Sequence, residues 1–251
     1  MKTYHAIEEL EATGIVIAGI SLRHGGVSRA PYASMNLAEH VGDDANAVAT
    51  NREIFFKQSG LTDLRYCRQI HSTRVMDVDH TARTALKQHP EADALISAQT
   101  GVALGIFTAD CVPIFILDLA TPAIGIAHAG WRGTFAQIAV NTLKQMQTRF
   151  GTLATNCEVY LGPSIQKCCY TVSPELLDQF TERFGSTVRN GTNLSLQIAN
   201  TLQLTGIGVP AAAISVSPFC TACRTDLFYS HRAEAGQTGR MLSFIQLTAK
   251  H

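Results

Sequence analysis

The run from Gly101 to Thr134, GVALGIFTADCVPIFILDLATPAIGIAHAGWRGT, decides the fold. Val102 to Phe107, Val112 to Leu117 and Ala123 to Ala127 are apolar, rich in branched residues and free of polar alternation, the pattern of strands covered on both faces. A turn from Asp118 to Pro122 joins the last two as a hairpin. Beyond them, Gly130-Trp131-Arg132-Gly133 breaks the chain, and Phe135, Ile138, Ala139, Leu143, Met146 and Phe150 recur at near-helical spacing. Strand, glycine turn and helix follow in order, with Thr134 expected as the N-cap.

Working outward, Gly14 to Leu22 reads as a strand and Arg23-His24-Gly25-Gly26-Val27-Ser28 as a tight loop. Asp44 to Lys57 reads as a helix, and Tyr66 to Ile70 runs extended toward His71. Ser173-Pro174 opens a second helix as N-cap and N1, and Gly185 ends it. Leu194 to Leu204 is a further helix; Ala213 to Ser217 and Met241 to Leu247 are closing strands. No repeat, charged tail or Ser/Pro-rich linker divides the chain, so an α/β layered body forming one domain over residues 1–251 is expected.

Composition agrees with a compact body. Lys+Arg and Asp+Glu are both 20, giving zero formal net charge, and charged residues are 16% of the chain, against roughly 25% in an average soluble domain. With no basic block, no nucleic-acid footprint is expected. Glu8 and Glu9 stand where a secretory signal would carry its apolar stretch. The apolar region from Gly101 to Ala129 is interrupted by Asp110, Asp118 and Pro122, so no membrane span is expected. Seven Cys, an odd number, suit reduced thiols and a cytoplasmic location.

A hairpin centred between Leu119 and Ala120 sets Cys111 directly opposite His128, about 4.5–5.5 Å apart at Cβ on one surface. His71 ends an extended segment. One thiolate and two imidazoles make a donor set suited to Zn²⁺, with a fourth position open for water. The separations between them are not a local zinc signature, so spacing alone leaves packing roles open. The Gly130–Gly133 turn, with Arg132, and the Arg23-His24-Gly25-Gly26 loop are candidate anion sites. Cys220-Thr221-Ala222-Cys223 has a CxxC form, but no second CxxC completes a four-thiolate site, and Cys168-Cys169 are adjacent; both are read as local packing.

Several motifs together resemble one family. They are Gly25-Gly26-Val27-Ser28 with Pro31-Tyr32 and Asn36-Leu37, Val41-Gly42-Asp43-Asp44, Asn51-Arg52, Gln69-Ile70-His71 and Ala92-Asp93-Ala94-Leu95. Thr108-Ala109-Asp110-Cys111-Val112-Pro113, His128-Ala129-Gly130-Trp131-Arg132-Gly133, Leu161-Gly162-Pro163-Ser164-Ile165, Cys168-Cys169-Tyr170 and Thr238-Gly239-Arg240-Met241 extend the match. The chain resembles the YfiH-like family, also called laccase-domain or polyphenol-oxidase-like proteins and associated with purine nucleoside phosphorylase activity. Two departures are local: Leu22 replaces a usual Thr, and Ser230-His231-Arg232-Ala233 replaces Ser-Tyr-Arg-Arg.

The resemblance implies a single α/β/β/α layered domain with zinc held by His71, Cys111 and His128. It implies phosphorolysis of adenosine, inosine and S-methyl-5'-thioadenosine, and deamination of adenosine to inosine. Purine nucleoside and phosphate are then the partners, with no obligate protein partner inferred. Cys111 is a catalytic candidate, with Asp93 or Asp110 as proton shuttle; on a regular strand Asp110 would face away from Cys111. Arg23, Asn36 and Arg132 are the candidates for holding phosphate or substrate. The alternatives are a Cys–His or zinc amidohydrolase editing peptidoglycan precursors, and a copper-dependent polyphenol oxidase. An N₂S set also binds Cu²⁺ tightly, but none of the nine His forms the His-x-His pairs common in multicopper oxidases.

Overall fold

A computed structural model of the chain describes residues 3–81 and 89–248; residues 1–2, 82–88 and 249–251 of the domain expected over 1–251 lie outside them. In chain order the strands are β1 (Tyr4–Ala6), β2 (Val16–Ser21), β3 (Leu64–Tyr66), β4 (Val75–Asp77), β5 (Ala94–Ser97), β6 (Ala103–Thr108) and β7 (Val112–Asp118). Then come β8 (Ala123–Ala129), β9 (Cys157–Leu161), β10 (Arg189–Asn190), β11 (Asn193–Leu194), β12 (Ile214–Val216) and β13 (Met241–Leu247). The helices are α1 (Glu8–Glu11), α2 (Ala45–Ser59), α3 (Trp131–Phe135), α4 (Ile138–Phe150), α5 (Pro174–Phe184) and α6 (Leu196–Gly206).

Two sheets stack. One runs β1-β2-β13-β6-β3 and the other β12-β9-β7-β8-β5-β4. Side-chain alternation along β7 explains the layers: Phe115 and Leu117 join Ile20, Leu104, Ile106 and Ile245 in the core between the sheets. Ile114 and Ile116 point the other way, onto Leu143 and Met146 of α4 and Ala199 of α6. The far side of the first sheet, with Phe107, Leu242 and Phe244, is covered by Phe55 of α2. The result is an α/β/β/α sandwich whose inner strands are buried on both faces, which is why their sequences lack alternation. Gly125 permits the close approach of α4, since a Cβ there would meet Met146 Sδ at 2.8 Å.

The helix ends follow local chemistry. Asp44 caps α2 by accepting from the backbone N–H of Asn46 and Ala47, and Ser173 caps α5 by accepting from that of Leu176. Two expectations are corrected. Thr134 is not an N-cap: Gly130 holds that place, Thr134 is buried inside the short α3, and Gln137 at φ 66° separates α3 from α4. The strand in this region is Leu64–Tyr66, and the stretch that follows toward His71 bridges to Glu91 at Arg68. The β7–β8 ladder pairs Asp118 with Ala123 and Pro113 with His128, so the loop is centred between Ala120 and Thr121. Asp118 sets that register by accepting from the N–H of Ala120 and Thr121.

Candidate metal centre and its surroundings

The register shift moves Cys111 from directly opposite His128 to a diagonal position, because His128 faces Pro113 and Cys111 lies just before β7. Diagonal neighbours share a face, so the two still reach one another. The ligand atoms of His71, Cys111 and His128 all lie within 4.8 Å of one another, and the two imidazole rings meet edge to face at 4.8 Å.

Asp93, immediately before β5, organises this convergence. Its fully buried carboxylate accepts from the backbone N–H of Ile70 (3.2 Å), His71 (2.9 Å) and Ser72 (2.6 Å), and from the Ser72 hydroxyl at 2.8 Å. It also takes the Nδ1 side of the His128 ring at 3.0 Å, and its backbone carbonyl accepts the His128 N–H. Burial pushes the Asp93 carboxyl up, but hydrogen bonds from His128 and Ser72 outweigh it and hold it at about 2. His71 takes φ 58° under this grip. The acceptor capacity of Asp93 is therefore filled, which suits a positioning residue better than the proton shuttle expected from sequence. With Nδ1 on the carboxylate, His128 turns Nε2 toward Cys111, the arrangement second-sphere carboxylates impose on metal-binding imidazoles.

Cys111 and His128 are electrostatically paired. Burial would push the Cys111 thiol up, but His128 and His71 bring it down to about 6. Burial would lower His128, but Cys111 and Asp93 raise it to about 9.

Strand alternation would have sent Asp110 away from Cys111. Instead β6 ends at Thr108 and β7 begins at Val112, and Asp110 sits between them at φ 88°. The irregular turn brings both residues to one hollow of about 80 Å³, shared with His71, Gly130, Trp131, Arg132, Ile165 and Tyr170. The Asp110 carboxylate accepts from the hydroxyls of Thr221 (2.6 Å) and Ser230 (2.7 Å) and from the Arg232 N–H at 2.6 Å. It thereby anchors the segment before β13 to the hollow.

The anion-binding candidates separate. Arg132 is exposed, lines the hollow and stacks on the Trp131 ring at 4.2 Å. Its helix has five residues, too few for an appreciable macrodipole, so the guanidinium is the main attraction for an anion. Arg23 is spent internally: its donors go to the carbonyls of Ala33, Thr225 and Phe228 and to Glu234, while its plane lies over Tyr229. No N–H remains for a phosphate, which corrects the expectation for that residue. Asn36 is likewise buried and satisfied by Ala38, Asp43 and the Arg240 N–H. Arg23 and Asn36 hold the 23–36 loop in place instead.

Sequence reasoning missed a second opening. A cleft of about 390 Å³, lined by His40, Arg52, Tyr66, Gln69, His89 and Phe107 among others, borders the segments carrying His71 and Cys111. Gln69 ties them together, donating to the Phe107 carbonyl and accepting from its N–H. Burial and the neighbouring Arg240 lower the His40 pKa. Gln69-Ile70-His71 and Thr238-Gly239-Arg240 were visible as motifs; the rings of Tyr66, His89 and Phe107 carried no such signal. The four cysteines read as packing are also brought together, with sulfurs within 4.8 Å of one another, which corrects that reading.

No helix among the described residues is long and apolar enough to cross a membrane. Residues 17–248 match the model of the family described as multi-copper polyphenol oxidoreductase laccase. Among curated proteins, purine nucleoside phosphorylase YlmD of Geobacillus stearothermophilus is 37% identical over 244 residues, covering 91% of this chain and 89% of that protein. Adenosine deaminase RL5, from an unknown prokaryotic organism, is 35% identical over 232 residues, covering 86% and 88%. The crystal structure of YlmD from Geobacillus stearothermophilus superposes with a TM-score of 0.86 at 35% identity, covering 93% of this chain and 92% of that one. That of the Bacillus licheniformis hypothetical protein YfiH gives 0.91 at 32% identity, covering 99% and 97%. The family model over residues 17–248, relatives at 37% and 35% identity over most of both chains and the superposition on YfiH agree: the chain belongs to the YfiH-like family of laccase-domain proteins.

Proposed function

We propose that the chain is a metal-dependent purine nucleoside phosphorylase acting on adenosine, inosine and S-methyl-5'-thioadenosine, and that it also deaminates adenosine. The observation that carries this reading is the convergence of His71, Cys111 and His128 beside the exposed guanidinium of Arg132. The names of the relatives support the reaction class. Two imidazoles and a thiolate with no fourth protein ligand in the set fit a catalytic Zn²⁺. Gly130 fits it too, since a Cβ there would press on Cys111 Sγ and His71 Cδ2, each at 3.0 Å. When bound, the ion supplies Lewis acidity and activates a water molecule near neutral pH.

The protein's own groups divide the remaining work. Asp93 holds both histidines in register, and Arg132 attracts the phosphate. The hollow, about 80 Å³, suits a phosphate-sized group, being well below the roughly 300–1,000 Å³ of a site enclosing a larger ligand. The neighbouring cleft of about 390 Å³ is large enough for the purine, and aromatic side chains line it, the Tyr66 and His89 rings being stacked on each other at 4.0 Å. His40, its pKa lowered by partial desolvation and the neighbouring Arg240, serves as a hydrogen-bond partner for a base nitrogen.

Copper oxidation of phenols is less well supported. Of the two metal-type ligand sets among the described residues, one contains imidazoles, and it has two. A second reading, a thiol hydrolase acting on an amide such as a peptidoglycan precursor, rests on a specific observation: Cys111, His128 and Asp93 stand in the order of nucleophile, base and orienting carboxylate.

Product analysis with adenosine, with and without phosphate, separates these readings. Adenine and ribose 1-phosphate formed only with phosphate support phosphorolysis, and inosine supports deamination. Full activity in metal-stripped protein, abolished by one equivalent of a thiol alkylator, would replace the metalloenzyme reading with the hydrolase.

A further inference from the structure

Four cysteines outside the centre just described meet in space. Cys168 and Cys169 lie in the turn between β9 and α5, and Cys220 and Cys223 follow β12. The two segments are joined by a bridge between Ser164 and Cys220 and by the Thr221 N–H donating to the Ser164 carbonyl at 3.1 Å. The sulfur of Cys223 is 3.6 Å from that of Cys168 and 3.3 Å from that of Cys169, and all four lie within 4.8 Å of one another.

We infer that these four thiolates form a second, structural metal site for one Zn²⁺ ion. Zn–S bonds of about 2.3 Å in a tetrahedron set the sulfurs about 3.8 Å apart, inside the range found here. All four are free thiols, and Cys223 lies about equally near Cys168 and Cys169 rather than paired with one of them; a tetrahedral thiophilic cation uses all four sulfurs at once. A supporting donor is already placed, because the Gln166 N–H points at the buried Cys220 sulfur at 3.4 Å. Cys168 and Cys223 are exposed and leave an entry path. With four protein ligands the site is closed to substrate, so its role is to staple.

What it staples matters. Ile165 and Tyr170, flanking the first pair, form a wall of the hollow at Cys111, and Thr221, inside the second pair, donates to Asp110. Zinc here would fix that wall to the carboxylate beside the first centre.

The test uses the intact chain carrying Cys111→Ala, which removes a ligand of the first centre, alone and combined with Cys223→Ser. Cys223 is exposed, so its replacement spares the core, and circular dichroism verifies the fold. The expected result is one tightly held zinc per chain in Cys111→Ala by elemental analysis. Its Co²⁺ form should show thiolate-to-cobalt charge transfer and tetrahedral ligand-field bands. Adding Cys223→Ser should weaken zinc binding by about tenfold or more in chelator competition and diminish those bands. A folded Cys111→Ala chain that holds no zinc, or an intact mass two or four hydrogens lighter, showing one or two disulfides, overturns the proposal. So does zinc affinity unchanged by Cys223→Ser.

Discussion

Replacing Asp93 with Asn keeps the shape of the side chain that aligns both histidines and removes its charge. In one amide orientation the NH₂ group faces His71 N–H and His128; in the other it faces the N–H groups of Ile70 and Ser72 and the Ser72 hydroxyl. Even the milder choice leaves two donors, one of them on buried His128, without an acceptor, at about 1–3 kcal/mol each, so destabilisation of roughly 2–6 kcal/mol is expected, at the lower end for the part-buried His71 N–H. The metal centre should lose about 10–100-fold in zinc affinity, the usual effect of removing such a supporting group. The pH dependence supplies an internal control. Asp93 falls from an ordinary 3.8 to about 2 on folding, so its contribution is present above pH ~4 and is lost as pH falls toward ~2, a change of roughly 2 kcal/mol. Urea denaturation of metal-free protein across that window should show the gap between wild type and Asp93→Asn narrowing as acid is added. A gap that stays constant with pH, together with zinc affinity within threefold of wild type, would refute the positioning role.

Three further outcomes are expected. Gly130→Ala should cut zinc affinity about tenfold or more with a modest fall in Tm, since the added methyl meets two ligand side chains at 3.0 Å while overpacking costs about 1–3 kcal/mol; equilibrium zinc competition measures it. Arg132→Ala should raise the phosphate KM about tenfold or more with little change in Tm, whereas Arg23→Lys should lower stability by about 2 kcal/mol with the phosphate KM nearly unchanged, because Arg23 binds its own chain. In metal-stripped protein, alkylation of Cys111 should rise through pH ~6, as its lowered pKa of about 6 dictates, and a midpoint near 9 would deny the pairing with His128.

Much of this architecture is written in residues whose local surroundings determine their conformation. Asp44, Ser173 and Gly185 mark their helix ends as read from sequence, and the uniform apolarity of β7 and β8 announces cover on both faces. Register was harder. The ladder pairs Asp118 with Ala123, which centres the loop one position later than between Leu119 and Ala120, yet parity kept Cys111 and His128 on a common side. Asp110 illustrates the opposite limit: its φ of 88° breaks strand alternation through contacts with Thr221, Ser230 and Arg232, residues more than a hundred positions away. For the same reason Arg23 looks like a free cation in sequence and is consumed by the 225–234 segment in the fold. The four cysteines were invisible as a group because adjacency and CxxC spacing become informative only when two distant loops meet.

The central claim is that the His71–Cys111–His128 centre serves phosphate-dependent cleavage of a purine nucleoside. Its most direct test is ribose 1-phosphate formation from adenosine by metal-replete wild type and by folded Cys111→Ala, with contaminating enzymes excluded. The account predicts product from wild type only when phosphate is present, and a loss of at least about a hundredfold in the variant. Equal product from both proteins, or none from wild type with adenosine, inosine or S-methyl-5'-thioadenosine, would contradict it.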